Sequence, residues 1–305
     1  MRPLVLASIL VSSLTYAATD VSHAAVVVVR GSADHMDQVL AKAKISFIAV
    51  GPDELPTLAL NAKQVLMVNC TGDMSPEARE RVRRFVAAGG FLYTTDHAVH
   101  QLIEPIFPNT IAWTGQATSE HLVSVKVSGT EADRGLLSSL GGNAKELWQT
   151  AGGGYPFKVL DPKRVTVLME SPEAEKLFGS GHIAARFRYE DGQVIHVTGH
   201  FFSQPGQQSE AVASAGRGFE TFSANVVNEK KNDGARIDSL YGAGTNRAVT
   251  LQAQPTANAP RAATMGQGGG SVAKGEKLKV LDKSGDFVRV RDQQGNEGYV
   301  PADAL

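Results

Sequence analysis

The chain has 305 residues, 42% of them hydrophobic, with 30 Lys+Arg against 31 Asp+Glu and a single cysteine, Cys70. A formal net charge of -1 leaves no electrostatic footprint for nucleic acid or an anionic membrane surface. One cysteine excludes an intramolecular disulfide and any Cys-based zinc site, and a length of this order predicts two domains at roughly 100–200 residues each.

After Arg2 comes an apolar stretch, residues 3–12, too short to span a bilayer. Small-residue cleavage sites follow at Thr15-Tyr16-Ala17 and Ser22-His23-Ala24. The expectation is a signal peptide over 1–24, a periplasmic or secreted location and no transmembrane segment. Residues 25–30 form a β-branched run typical of a strand buried on both faces. Residues 34–44 carry Met36, Val39 and Leu40 at helical spacing, and strands are expected at 45–50 and 65–69. Ser75-Pro76-Glu77 has the N-cap, first-turn proline and early acid of a helix start, and Gly89-Gly90 ends that helix. A strand follows at 91–94. Strands alternating with helices predict an α/β fold with a doubly wound, mostly parallel sheet of flavodoxin-like type over 25–230.

Further strands are expected at 122–128 and 165–170, and Asp191-Gly192 marks a hairpin over 183–198. Residues 204–218 read as a surface loop, 219–230 as a helix and 231–246 as an interdomain linker. From 247 to 305 the pattern is all-β, with short strands at 277–281, 286–291 and 297–300.

The C-terminal pattern rests on Lys274-Gly275-Glu276, Asp286-Phe287-Val288-Arg289-Val290 and Gly298-Tyr299-Val300-Pro301. It resembles the bacterial SH3-like domain, a small barrel, although Phe287 stands where that family usually has Trp. The resemblance implies a cell-wall glycan or peptide partner and makes Phe287 and Tyr299 the candidate binding platform. The competing expectation is that both rings serve as core in so small a domain.

In parallel α/β sheets ligands sit beyond the carboxyl ends of strands. Three such ends carry chemistry: Asn69-Cys70-Thr71-Gly72-Asp73, Thr94-Thr95-Asp96-His97 with His100 behind it, and Gly199-His200. The helix, Gly-Gly, strand and sharp polar turn are similar to the class I glutamine amidotransferase-like fold and its ThuA-like branch. That resemblance implies a nucleophilic Cys at the turn after the fourth strand and a later activating His near His200. His97 stands at the turn instead. Cys70, in a loop one strand over, could substitute given a neighbouring base or positive dipole. It reads as a small buried hydrophobe, however, so Cys70→Ser is expected to leave any activity unchanged. Three functional readings follow, the third purely architectural: a degenerate enzyme fold with a shallow or blocked pocket that serves as a protein-interaction scaffold. In the first, a non-catalytic exported protein holds a small-molecule ligand, a carbohydrate by the ThuA-like resemblance, through Asp96, His97 and His200. In the second, His97, His100 and His200 hold a divalent metal for hydrolysis or isomerisation, with Asp96 or Glu104 as base. His121 and His196 are expected to be structural, and Gly152-Gly153-Gly154 to form a loop over the site mouth.

Overall fold

The computed structural model describes residues 19–130, 133–138, 146–200, 210–264 and 270–305. The apolar stretch 3–12 lies outside the described residues. The first half of the chain runs β1 (Val26–Val29), α1 (Met36–Lys42), β2 (Ile48–Val50), β3 (Val65–Val68), α2 (Pro76–Ala87), β4 (Phe91–Thr95), α3 (Glu104–Ile106), β5 (Ile111–Trp113), β6 (His121–Val127), α4 (Arg134–Leu137) and β7 (Glu146–Thr150). It continues with β8 (Phe157–Val159), β9 (Val165–Glu170), α5 (Pro172–Phe178), β10 (His182–Tyr189), β11 (Gly192–Val197), α6 (Glu210–Asn232) and α7 (Gly234–Leu240). The strands β12 (Ala243–Gly244), β13 (Val249–Thr250), β14 (Ser271–Val272), β15 (Lys277–Ser284), β16 (Phe287–Arg291) and β17 (Glu297–Pro301) complete it.

Nine strands form one sheet in the order β2-β1-β3-β4-β11-β10-β9-β6-β7. The expectation of a mostly parallel sheet is corrected: β2, β1, β3, β4 and β11 pair in parallel, whereas β10, β9, β6 and β7 continue antiparallel. The reason is the tight hairpin β10–β11, which reverses direction beside β4 and removes any room for a crossover helix. Both sheet faces are covered, and β1 divides its valines between them. Val27 and Val29 join the core under α2, while Val26 and Val28 join the core under α1 and α6. Ser75 caps α2 by accepting from the Ala78 N–H.

Two other expectations also change. The predicted loop at 204–218 is helical from Glu210 onward, with 204–209 outside the described residues. The predicted linker at 231–246 contains α7 and β12, and it packs down through Ile237 and Tyr241, both fully buried against Ala62 and Ala88. The Tyr241 hydroxyl donates to Ala88 O at 2.7 Å. Polar composition misled there because a few well-placed apolar residues are enough to dock a short helix.

The C-terminal strands form a four-stranded sheet, β12-β15-β16-β17, and a β13–β14 pair around Leu251, Leu278, Val288, Val290 and Val300. This small domain is fixed to the larger one. Arg81 on α2 is fully buried and donates to Leu58 O, Leu60 O and, across the junction, Gln294 O at 2.7 Å. Arg291 on β16 donates to Ala87 O at 2.9 Å and pairs with Glu190 and Glu297, and Lys279 pairs with Asp191.

Candidate active site

β3, β4 and β11 are consecutive parallel neighbours, so the residues just past their carboxyl ends must meet. Past β3 comes Cys70, past β4 come Asp96 and His97, and past β11 comes His200. Cys70 is buried, as the sequence suggested, yet its neighbours are imidazoles rather than apolar groups. Burial pushes its thiol up, but hydrogen bonding from the His200 and His97 side chains and the His97 main-chain N–H outweighs it and holds the thiol below its ordinary value.

Asp96 makes the sharp turn with φ of +40°, in the left-handed region where Asp is among the tolerated residues. It is fully buried, accepts from Gly199 N–H at 2.9 Å through Oδ1, and lies 2.9 Å from His200 Nε2 through Oδ2. Burial opposes the charge on His200, but Asp96 and then Cys70 override it and push the imidazole up to about 11. These neighbours favour the imidazolium form of His200. A second carboxylate, Asp34, is 1% exposed, accepts from Thr95 Oγ1 at 2.7 Å and adds to the field on His200. Thr95 Oγ1 in turn accepts from the Cys70 N–H at 3.2 Å, which ties the thiol's backbone to the same network.

His97 is also raised, chiefly by Cys70. Its Nε2 donates to Gly153 O at 2.8 Å, which leaves Nδ1 for proton exchange. The His97 ring stacks on Tyr155 with centroids 3.8 Å apart, and Tyr155 stacks on Trp113 at 4.1 Å. The Gly152–Gly154 segment lies over the site, held by Thr118 N–H to Gly154 O and Gly153 N–H to Thr118 O, both at 2.8 Å. Gly154 has to be glycine: a Cβ there would stand 2.8 Å from Asp96 Oδ1 and 2.6 Å from Thr118 Oγ1.

The expected metal set does not assemble. His100 turns to Glu104, with Nδ1 2.9 Å from Oε2, and packs on Trp113, so it does not join His97 and His200. Glu104 is further occupied by the Trp113 N–H at 2.6 Å. Among the described residues no group of three or more His, Cys, Asp and Glu side chains has metal-holding geometry. His196 lies within β11 in the core, 2.9 Å from Thr94 Oγ1, and burial pushes it down to about 3. Cys70, expected to be a small buried hydrophobe, is buried but has His97 and His200 as neighbours, because the strand end that carries it borders the turn after β4.

In the small domain, Val288, Val290 and Val300 point into the core, so alternation puts Phe287, Arg289 and Tyr299 on the other face. Phe287 and Tyr299 are half-buried there, outside the apolar cluster, with Arg289 2.7 Å from Glu297. A groove of about 340 Å³ runs beside Tyr299 between Gln252, Ala262 and Arg289.

Comparison with known proteins matches residues 253–305 to the bacterial SH3 domain. The match does not extend to an amidotransferase-like or ThuA-like family for residues 25–230. No curated protein matches. Among solved structures, a cytoplasmic protein of Salmonella typhimurium is similar over 67% of this chain and 98% of its own, with 7% identity and a TM-score of 0.46. A second cytoplasmic protein, from Salmonella typhimurium LT2, aligns over 68% of this chain and 99% of its own, at 12% identity and a TM-score of 0.44. A β-galactosidase from Rahnella sp. R3 aligns over 92% of this chain and 40% of its own, at 14% identity and a TM-score of 0.43. Among the described residues no helix is long and apolar enough to cross a membrane.

Proposed function

We propose that this chain is an exported, thiol-dependent acyl-transfer enzyme of the cell envelope, positioned by its SH3-like domain on a cell-wall or peptide partner. The observation that carries the reading is the single cysteine placed against two imidazoles, one of them backed by a buried carboxylate. In this scheme the Cys70 thiolate attacks the carbonyl carbon of an ester or amide. His200, kept cationic by Asp96, stabilises the thiolate and then the negative charge that develops on the substrate. His97 gives its proton to the leaving alcohol or amine as the acyl–sulfur bond forms, and takes a proton from the water that later releases the acyl group. The absence of a nucleophile at the turn after β4 is met by a cysteine from the neighbouring strand end.

Export rests on the leader-like segment. Residues 19–24 pack on the domain, with Val21 fully buried and Gln64 Nε2 donating to Val21 O and Ala24 O. That favours cleavage after Ala17 over cleavage after Ala24, because only the earlier site keeps Val21. The SH3-like platform is Phe287 and Tyr299 on the outer face of β16 and β17.

The test is release of p-nitrophenol from p-nitrophenyl acetate by the purified protein, with a burst equal to the enzyme concentration. Cys70→Ser abolishes the burst if Cys70 is the nucleophile. An undiminished burst in Cys70→Ser overturns the reading and returns the site to a non-catalytic holder of small ligands.

A further inference from the structure

The chain leaves β1 toward β2 on one side and returns to β3 on the other, so a crevice must open between the carboxyl ends of β1 and β3. A cleft of about 280 Å³ lies there, lined by Arg30, Ser32, Asn69, Thr71 and Asp73 among others. One of its walls is the backbone on either side of Cys70. The Ala33 N–H donates to Cys70 O at 3.3 Å, and a Cβ on Gly31 would stand 1.9 Å from that oxygen. The loop after β1 thus rests directly on the residue that carries the thiol.

The cleft is rich in donors. Main-chain N–H groups of Gly31, Ser32, Thr71 and Gly72 have no protein acceptor among the described residues. Asn69 is 2% exposed, and its Oδ1 is taken by the Met36 N–H at 3.2 Å, which leaves Nδ2 as a further donor. The Arg30 guanidinium has no carboxylate within ion-pair distance among the described residues. Glu54, which feels its charge, is committed to Thr19 Oγ1 and the Gly51 N–H. The one acid in the lining, Asp73, is largely exposed and lies 3.6 Å from Arg79. Unpaired N–H donors and one unpaired guanidinium, beside the nucleophile of the proposed reaction, make an anion receptor.

We infer that this cleft receives a carboxylate of the substrate, so that the bond attacked by Cys70 belongs to an ester or amide bearing a carboxylate a few bonds away. The inference rests on the thiol-enzyme reading and adds a substrate class to it.

Two alkylating reagents of nearly equal size separate the two ideas. Iodoacetate carries a carboxylate and iodoacetamide is its neutral counterpart. In each, the thiolate sulfur displaces iodide and forms a thioether. Cys70 is the only cysteine, so the mass of the intact protein reports the reaction. The readout is the ratio of the two rate constants, compared between the wild-type chain and Arg30→Gln. The cleft predicts a wild-type ratio favouring iodoacetate and a fall of about tenfold in Arg30→Gln, with Arg30→Lys between them. Equal ratios in the three proteins, with Cys70 still alkylated, overturn the carboxylate cleft and leave the thiol reading intact. Failure of both reagents to modify Cys70 in the folded wild-type protein overturns both.

Discussion

The two domains display their polar and aromatic side chains in opposite ways. In the α/β domain, Cys70, Asp96 and His200 come from three strand ends and meet, with Cys70 and Asp96 fully buried and His200 partly so. In the SH3-like domain, Phe287, Arg289 and Tyr299 come from two adjacent strands and lie on an outer face. The first arrangement suits chemistry: desolvation strengthens each charge interaction, so Asp96, Cys70 and Asp34 together hold the His200 imidazole well above its ordinary value. The second suits recognition, since open rings beside a charge can meet an extended partner without rearrangement. Even within the first domain, burial alone does not decide a group's state. His196 and His200 are four positions apart on and after β11, yet one is pushed down to about 3 and the other up to about 11. The difference lies in the neighbours: His200 has Asp96 at 2.9 Å with Cys70 and Asp34 adding to it, whereas at His196 burial outweighs the more remote Asp96.

The sharpest way to break this contrast is at His97. Replacement by Ala should lower acyl transfer by about 10²–10⁴-fold, the range for a lost proton carrier, with little change in the binding of cell-wall fragments by the other domain. A drop of less than threefold in the p-nitrophenyl acetate rate would remove His97 from the chemistry.

The junction between the domains comes next in size. Arg81→Ala leaves three carbonyl oxygens without their donor and should destabilise the protein by about 3 kcal/mol or more, read from urea unfolding. If the SH3-like domain were merely tethered, that substitution would move only the transition of the larger domain.

The two histidines should tilt stability in opposite directions. His200 rises from its ordinary 6.5 to about 11, so its contribution is complete below pH 6.5 and disappears as pH rises toward 11. His196 falls from 6.5 to about 3, so its contribution is present above pH 6.5 and disappears as pH falls toward 3. Each gives a slope of up to about 1.4 kcal/mol per pH unit inside its window. Urea midpoints against pH should flatten on the acid side in His196→Gln and on the alkaline side in His200→Gln. The same flattening in both variants would show that the two imidazoles do not differ as described.

The smallest effect concerns the outer face. Phe287→Ala and Tyr299→Ala should each weaken binding to a cell-wall preparation by about tenfold, while stability changes by about 1 kcal/mol or less. A large loss of stability with unchanged binding would make these rings core rather than platform.

Much of this was legible beforehand. The valine run 26–29, the Ser75-Pro76 helix start, the 183–198 hairpin and the closing Gly298-Tyr299-Val300-Pro301 each carry a local signal, because periodicity and turn chemistry act over a few residues. The local pattern also marked the strand ends at Cys70, Asp96 and His200 as places for chemistry. It did not show that His100 would be drawn off by Glu104 and Trp113, or that 231–246 would dock instead of linking.

What the amino-acid sequence determined by itself was the elements with strong local signals, the small SH3-like domain at the C-terminal end and which residue types stand at the strand ends. Tertiary structure alone decided the rest. It placed β11 parallel to β4, brought Cys70 against His97 and His200, and laid Gly154 over Asp96. The physical reason is range: helix and strand patterns arise between near neighbours, whereas a thiol's charge depends on groups 27 and 130 residues away that only the order of strands brings within a few ångströms.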